Sequence, residues 1–345
     1  MSDRRQPLRI GFIGHGAHAT ANLYPSLRAL GVSPCSIATR NETQARLAAA
    51  RWGAQRSYGN HLLMLEREKL DAVFISVAPE DQARLSMDCL AAGVDVLVEK
   101  PLGMNAAEAR AVSDLATATS RMVMVGFMKR HAPAYRRLKA LMADESILGP
   151  PVSFNASFAF RPWTDSLRNE TFLRLGAIHY VDLVRWLFGE VADVNVQSNS
   201  SGSDINIVAN LRCTSGAVGS LTLLGMAAWK REHEELTITG NRGFATAANL
   251  HRVAVHVEEI VPPRAPTLPG WQSLEEQTTC FESINSPASG GEQHLYLRGF
   301  VDEIAHFFEC VRTRRLPTSS ASDNVNTTLL CDRLLAALQA NPNNT

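Results

Sequence analysis

One junction near the start of the chain constrains the fold more than any other feature. A short apolar run, Leu8–Ile13, breaks into Gly14-His15-Gly16-Ala17-His18-Ala19 and passes directly into a helical pattern over Ala17–Leu30. Gly14, Gly16 and Ala19 match G-x-G-x-x-G/A. In that pattern the first glycine makes a tight turn and the second lets the backbone approach a pyrophosphate. The third position keeps helix and strand close. The helix N-terminus then faces the anion. The same residues could form a glycine-rich turn in an α/β protein that holds no nucleotide, so the surrounding pattern decides.

That pattern repeats. Strands are predicted at Cys35–Thr39, Ala72–Val77, Val94–Glu99 and Met122–Gly126, and helices between them at Thr43–Trp52, Glu80–Ala92 and Ala106–Thr119. The apolar runs are continuous, as parallel strands covered on both faces require. Gly31, Gly53 and Gly93 stand where helices should stop, and Asn105 with Glu108 makes a variant capping box. Residues 1–130 therefore read as a doubly wound α/β Rossmann domain that binds a dinucleotide.

The rhythm then changes. A helix is expected over Pro133–Met142, followed by a break at Gly149-Pro150-Pro151. Neighbouring strands follow at Val152–Phe160, Val191–Ser198, Ile205–Cys213, Ala217–Gly225, Glu235–Thr239 and Val253–Glu258, with one helix, Phe172–Phe188, among them. These predict an α+β domain on an open, mostly antiparallel sheet. Val261–Gly291 reads as an irregular loop, and helices at Leu295–Arg312 and Asp323–Gln339 close the chain. A chain of 345 residues exceeds the size at which one core stops growing. The second domain is expected over 131–345, serving substrate binding and oligomerisation, with its terminal helices free to pack back on the first.

The charge balance, 34 basic against 34 acidic residues, lacks the basic excess of a nucleic-acid binder. No run approaches the roughly 20 apolar residues that span a bilayer. The six cysteines form no CxxC pair and read as buried thiols of a reducing compartment, with no metal framework. The expectation is a cytoplasmic protein without membrane or nucleic-acid partners. Apolar alternation through Ala217–Gly225 leaves a face for a homodimer or homotetramer.

Two positions near the turn carry cofactor chemistry. The second strand ends in Thr39-Arg40, where an NAD site would place an acid for the ribose hydroxyl. A hydroxyl and a guanidinium suit a 2′-phosphate instead. The cofactor is read as NADP or NAD, with NADP favoured; alternatively Arg40 stacks on adenine or points to solvent. The expected contacts are Gly14, His15, Gly16, Ala17, Thr39, Arg40, Glu99 and Lys100. Lys100, in Glu99-Lys100-Pro101, falls at a carboxyl strand end, where doubly wound folds bind ligands. It either orients a substrate oxygen or merely pairs with Glu99.

Taken together, Gly14-x-Gly16, Glu99-Lys100-Pro101, Gly126–Pro133 and Ile178–Leu183 resemble the glucose–fructose oxidoreductase/inositol dehydrogenase (Gfo/Idh/MocA) family over nearly the whole chain. The resemblance implies hydride exchange between a nicotinamide and the hydroxyl or keto carbon of a sugar, sugar derivative or cyclitol. It implies that Lys100 contacts the reacting oxygen and that His179 transfers a proton. On its own, His179 reads as an acid/base group or as a core histidine packed with Tyr180 and Trp186. The family pattern places an Asp four residues before the histidine, and here Leu175 stands there. Asp182 could orient the ring or pair with Arg185. Arg130, Arg161, Asp182 and His179 join Lys100 as expected substrate contacts, with Trp163 and Asp165 near Arg161. Three other functions fit the chain: a non-catalytic dinucleotide-sensing regulator, a redox-assisted hydrolase or eliminase, and a reductase of small dicarbonyls or a pigment.

Overall fold

The computed structural model describes residues 7–163, 168–257, 278–284 and 293–340. The chain divides into two units. The first comprises Met1–His131, Arg174–Asp182 and Glu292–Asp332; the second comprises Ala132–Leu173, Leu183–Gly291 and Arg333–Thr345.

The first unit is built on six parallel strands: β1 (Ile10–Ile13), β2 (Ser36–Ala38), β3 (Arg56–Tyr58), β4 (Ala72–Ile75), β5 (Asp95–Glu99) and β6 (Val123–Gly126). Their order is β3-β2-β1-β4-β5-β6. The order reverses direction at β1, as in a doubly wound sheet. β1, β4, β5 and β6 are buried throughout, as their continuous apolar runs demand. Connecting helices are α1 (Tyr24–Ala29), α2 (Glu42–Trp52), α3 (His61–Arg67), α4 (Pro79–Ala91) and α5 (Ala106–Ala118). The turn before α1 is a π-helix, Ala19–Leu23. Gly53 ends α2 at φ 73°, while Gly31 and Gly93 follow α1 and α4 at 71° and 77°; a left-handed residue is how a helix commonly stops. Asn105 accepts from the Glu108 backbone N–H, and the Glu108 carboxylate returns to Met104 N at 2.8 Å.

After the first unit's sheet, α6 (Pro133–Ala143) precedes β7 (Pro151–Phe160), both in the second unit, and α7 (Asn169–Thr171) runs through a π-helix, Phe172–Ala177, into α8 (Ile178–Phe188), a stretch whose residues 174–182 belong to the first unit. The remaining strands are β8 (Val191–Ser198), β9 (Ile205–Cys213), β10 (Val218–Gly225), β11 (His233–Gly240), β12 (Gly243–Ala248), β13 (Arg252–Val257) and β14 (Thr278–Glu282). The sheet order is β14-β13-β12-β11-β7-β10-β9-β8. All pairs are antiparallel except β7 with β10. Alternate residues of β9 are buried, and Phe188 stacks on Phe154 at 4.3 Å.

Helices α9 (Gln293–Leu297), α10 (Phe300–Thr313) and α11 (Ala321–Ala340) close the chain. Gly299, at φ 94°, divides what the sequence pattern reads as one helix. Leu295, Phe300, Ile304 and Phe307 join Phe12, Phe74 and Leu97 in the core of the first unit. Ser319 runs along β6, its carbonyl accepting from Val125 N at 2.8 Å. The expected loop at Val261–Gly291 is corrected in part: Thr278–Glu282 pairs with β13, and 261–277 and 285–291 lie outside the described residues. Among the described residues no helix is long and apolar enough to cross a membrane.

Candidate active site

The two glycines of the first turn do different work. Gly14 has φ 110°, and a Cβ there would meet the Ser76 carbonyl oxygen at 2.0 Å, so the fold itself excludes a side chain. At Gly16 a Cβ would meet nothing within 4 Å. Its bareness serves no contact within the protein and fits a close backbone approach by a ligand. Gly16, His15 and Ala17 line a cavity of about 780 Å³ with Thr39, Arg40 and His18, a size suited to a small-molecule site. The cavity, the open glycine and the helix N-terminus together fit the pyrophosphate and adenosine portion of a dinucleotide.

Thr39 and Arg40 differ from each other. The Thr39 hydroxyl donates to the Asn41 carbonyl at 2.6 Å, a local turn that holds it to its own backbone. Arg40 is exposed at the cavity. Glu99 is only 5% exposed and faces inward. It accepts from His18 Nε2 at 2.9 Å and from the Lys100 backbone N–H at 3.3 Å. Burial pushes its carboxyl up, but His18 and Lys100 outweigh this and hold it below the ordinary carboxylate value.

Lys100, just beyond β5, reaches back with its ammonium to the Leu175 carbonyl at 2.5 Å. That carbonyl belongs to the π-helical turn before α8, and α8 carries His179. His179 is buried with its ring edge-on to Phe127 at 6.0 Å, and its Nδ1 has no hydrogen-bond partner among the described residues. Burial, then Lys100 and Lys129, hold its pKa well below the usual imidazole value. The imidazole is therefore neutral at pH 7.

Arg130 and Asp182, both expected as substrate contacts, are partners of each other. Arg130 Nε and Nη2 donate to the two Asp182 oxygens at 2.7 and 2.5 Å. Nη2 also meets Asp323 and Nη1 the Thr318 carbonyl, while Thr327 donates to Asp182 at 2.9 Å. Asp182 therefore neither orients His179 nor pairs with Arg185, whose partner is Glu190. In the second unit, Arg161 is exposed past the end of β7, and Trp163 stacks on Phe160 at 5.7 Å; Asp165 lies outside the described residues. Sequence reasoning missed His18, Trp52 and Glu303, all of which stand in the first unit near these groups. Only His18 carried a signal, its place inside the glycine-rich turn.

Comparison with known proteins agrees with this geometry. Residues 8–127 match the model of the Gfo/Idh/MocA oxidoreductase family with its NAD-binding Rossmann fold, and residues 135–246 match the Gfo/Idh/MocA C-terminal domain. Over 230 residues the chain is 29% identical to a 4-carboxy-2-hydroxymuconate-6-semialdehyde dehydrogenase of Sphingobium sp., covering 63% of this chain and 71% of that protein. Over 303 residues it is 27% identical to a dTDP-3,4-didehydro-2,6-dideoxy-alpha-D-glucose 3-reductase of Streptomyces violaceoruber, covering 83% and 88%. Its fold matches levoglucosan dehydrogenase in complex with NADH at a TM-score of 0.83, with 20% identity over 97% of each chain. The chain belongs to the Gfo/Idh/MocA oxidoreductase family and is an NAD(P)-dependent enzyme of that family.

Proposed function

We propose that this enzyme transfers hydride between a nicotinamide and the hydroxyl or keto carbon of a sugar, sugar derivative or cyclitol, and that it favours ketone reduction. The observation that carries the reading is Lys100, whose ammonium lies at the carboxyl end of β5 on the helical segment that presents His179. The sugar class rests on the 3-reductase relative and on the D-xylose 1-dehydrogenase and inositol 2-dehydrogenases among the other relatives. When bound, the nicotinamide supplies or accepts the hydride. Lys100 donates to the reacting oxygen and stabilises its developing negative charge. In reduction that oxygen also takes up a proton through Lys100. In oxidation the same path runs in reverse, the proton leaving through Lys100 to a base, and a neutral, weakly basic His179 accepts it poorly.

Arg40 takes the 2′-phosphate of NADP, and Gly14, His15, Gly16 and Ala17 hold the pyrophosphate side. The second unit contacts substrate through Arg161 and assembles through the outer face of its sheet into a homodimer or homotetramer. The enzyme works in the cytoplasm, without nucleic-acid or membrane partners. The test is a screen of ketoses, polyols and cyclitols followed at nicotinamide absorbance, with Lys100→Ala beside the parent. Turnover should fall about 10²- to 10⁴-fold in the variant, with little change in cofactor affinity. Near-parental turnover would sink the assignment, and so would a parent that binds cofactor and turns over none of these compounds.

A further inference from the structure

Behind the glycine-rich turn stands a column of rings. Tyr24 is stacked between Phe12, at 4.0 Å, and Trp52, at 4.8 Å and an interplanar angle of 9°. Its hydroxyl donates to the Gly14 carbonyl at 2.8 Å. Trp52, the last residue of α2, donates its indole N–H to His15 Nε2 at 3.2 Å. The His15 ring also meets Tyr24 edge-on at 5.8 Å. His15 is the residue between the two glycines and lines the cavity.

The chemistry of this contact is one-sided. An indole nitrogen can only donate. A ring nitrogen that accepts from it must be bare, so in the neutral imidazole the proton sits on Nδ1. A protonated His15 would set two N–H groups against each other. Burial, then Arg51, lower the His15 pKa and favour the same neutral form. Arg51 and Arg28 lie over the Trp52 ring at 5.0 and 5.6 Å from its centroid, so the indole that selects this form is itself held in place.

We infer that Trp52 acts as a positioning residue which fixes His15 as the Nδ1–H tautomer, making it a preset neutral donor to an anionic phosphate oxygen of the bound dinucleotide. This rests on the reading that the cavity holds NAD(P). It goes further in assigning a side-chain donor within a turn whose motif assigns only backbone. A preset tautomer matters because an imidazole divided between two tautomers binds only through its competent fraction.

The test is calorimetric titration of the full-length protein with NADP⁺ and NAD⁺, for the parent, His15→Leu, Trp52→Phe, the double variant and Gly16→Val. Losing a hydrogen bond to a charged group, His15→Leu should weaken both cofactors about ten-fold. Trp52→Phe keeps the ring stack but removes the donor, and should weaken them about two- to three-fold by releasing the tautomer. In the His15→Leu background the Trp52→Phe change should cost nothing more, since one residue acts through the other. Nitrogen-15 spectra should show a protonated Nδ1 and bare Nε2 on His15 in the parent, and a mixture in Trp52→Phe. Parental affinity in His15→Leu, with binding lost in Gly16→Val, would overturn the inference and leave the cavity reading standing. An equal Trp52→Phe loss in both backgrounds would also overturn it, by making Trp52 a structural support. Parental affinity in Gly16→Val would remove the cavity reading and this inference together.

Discussion

The Lys100 ammonium is anchored on the main-chain carbonyl of Leu175. Position 175 thus serves the site through its backbone, which any residue offers. This explains how the lysine keeps its place where a Leu stands in the position usually held by an Asp. What the Leu side chain withholds is a negative charge near His179, and burial, then Lys100 and Lys129, already depress that imidazole.

Leu175→Asp should restore the charge and keep the Lys100 anchor. A carboxylate near His179 raises its pKa and strengthens it as a base. The parent imidazole is already in its base form at pH 7, so its weakness shows as a low oxidation plateau, with the limb on the acid side. The variant should raise that plateau at pH 7 and move the limb up towards neutrality by about one unit, the size of a single nearby opposite charge. Measuring both directions from pH 4 to 10 checks this. A variant with the parent's oxidation plateau and limb would defeat it.

Asp182→Asn probes the buried pair with Arg130. The two side chains are 2% and 1% exposed, and breaking such a pair typically costs about 3–5 kcal/mol. Thermal unfolding should drop sharply while KM for substrate stays within about two-fold of the parent in the folded enzyme, a change worth under 0.5 kcal/mol. A large rise in KM at unchanged Tm would instead make Asp182 a substrate contact.

Glu303 offers a pH test of stability. It is 0% exposed, and neither carboxyl oxygen has a hydrogen-bond partner among the described residues. Burial, then Glu99 and Asp182, raise its pKa well above the carboxylate value. A raised folded value means that folding takes up a proton. The contribution is fully present below the unfolded pKa, about 4.3, and is lost as pH rises through the folded one. Glu303→Gln should therefore gain on the parent at pH 8 relative to pH 5, by roughly 2 °C in Tm. A parent whose advantage grows with pH would contradict the buried neutral acid.

Arg40→Ala addresses cofactor choice. With the Thr39 hydroxyl turned to Asn41, Arg40 is the member of that pair left to meet a 2′-phosphate. Its loss should weaken NADP about ten- to a hundred-fold and leave NAD nearly unchanged. Equal losses for the two cofactors, or a parent that prefers NAD, would overturn the assignment.

The elements legible in the sequence were those whose burial wrote itself into long apolar runs. β1, β4, β5 and β6 are wholly buried, and glycines mark the ends of the helices beside them. β3 spans three residues, none of them buried, and α3 buries only Met64, so neither leaves a pattern. All five residues of β14 are exposed, which made a strand look like loop. At the site, Lys100 and His179 were visible as motif positions. Their surroundings were not, because the partners come from far along the chain. Arg130 meets Asp182 across 52 positions, His18 meets Glu99 across 81, and Trp52 meets His15 across 37. Helical spacing reaches three or four residues, and so it suggested Arg185 for Asp182.

The contrast between the two glycines has a consequence for descent. Filling position 14 damages the fold whatever the protein does, so selection for a stable chain alone preserves Gly14. At position 16 a Cβ meets nothing in the protein, so the conflict comes with the dinucleotide. A lineage that abandoned the cofactor would retain the first glycine and let the second drift. Among descendants and duplicates of this chain, the side chain found at position 16 therefore records whether dinucleotide binding is still under selection, independently of how well the protein folds.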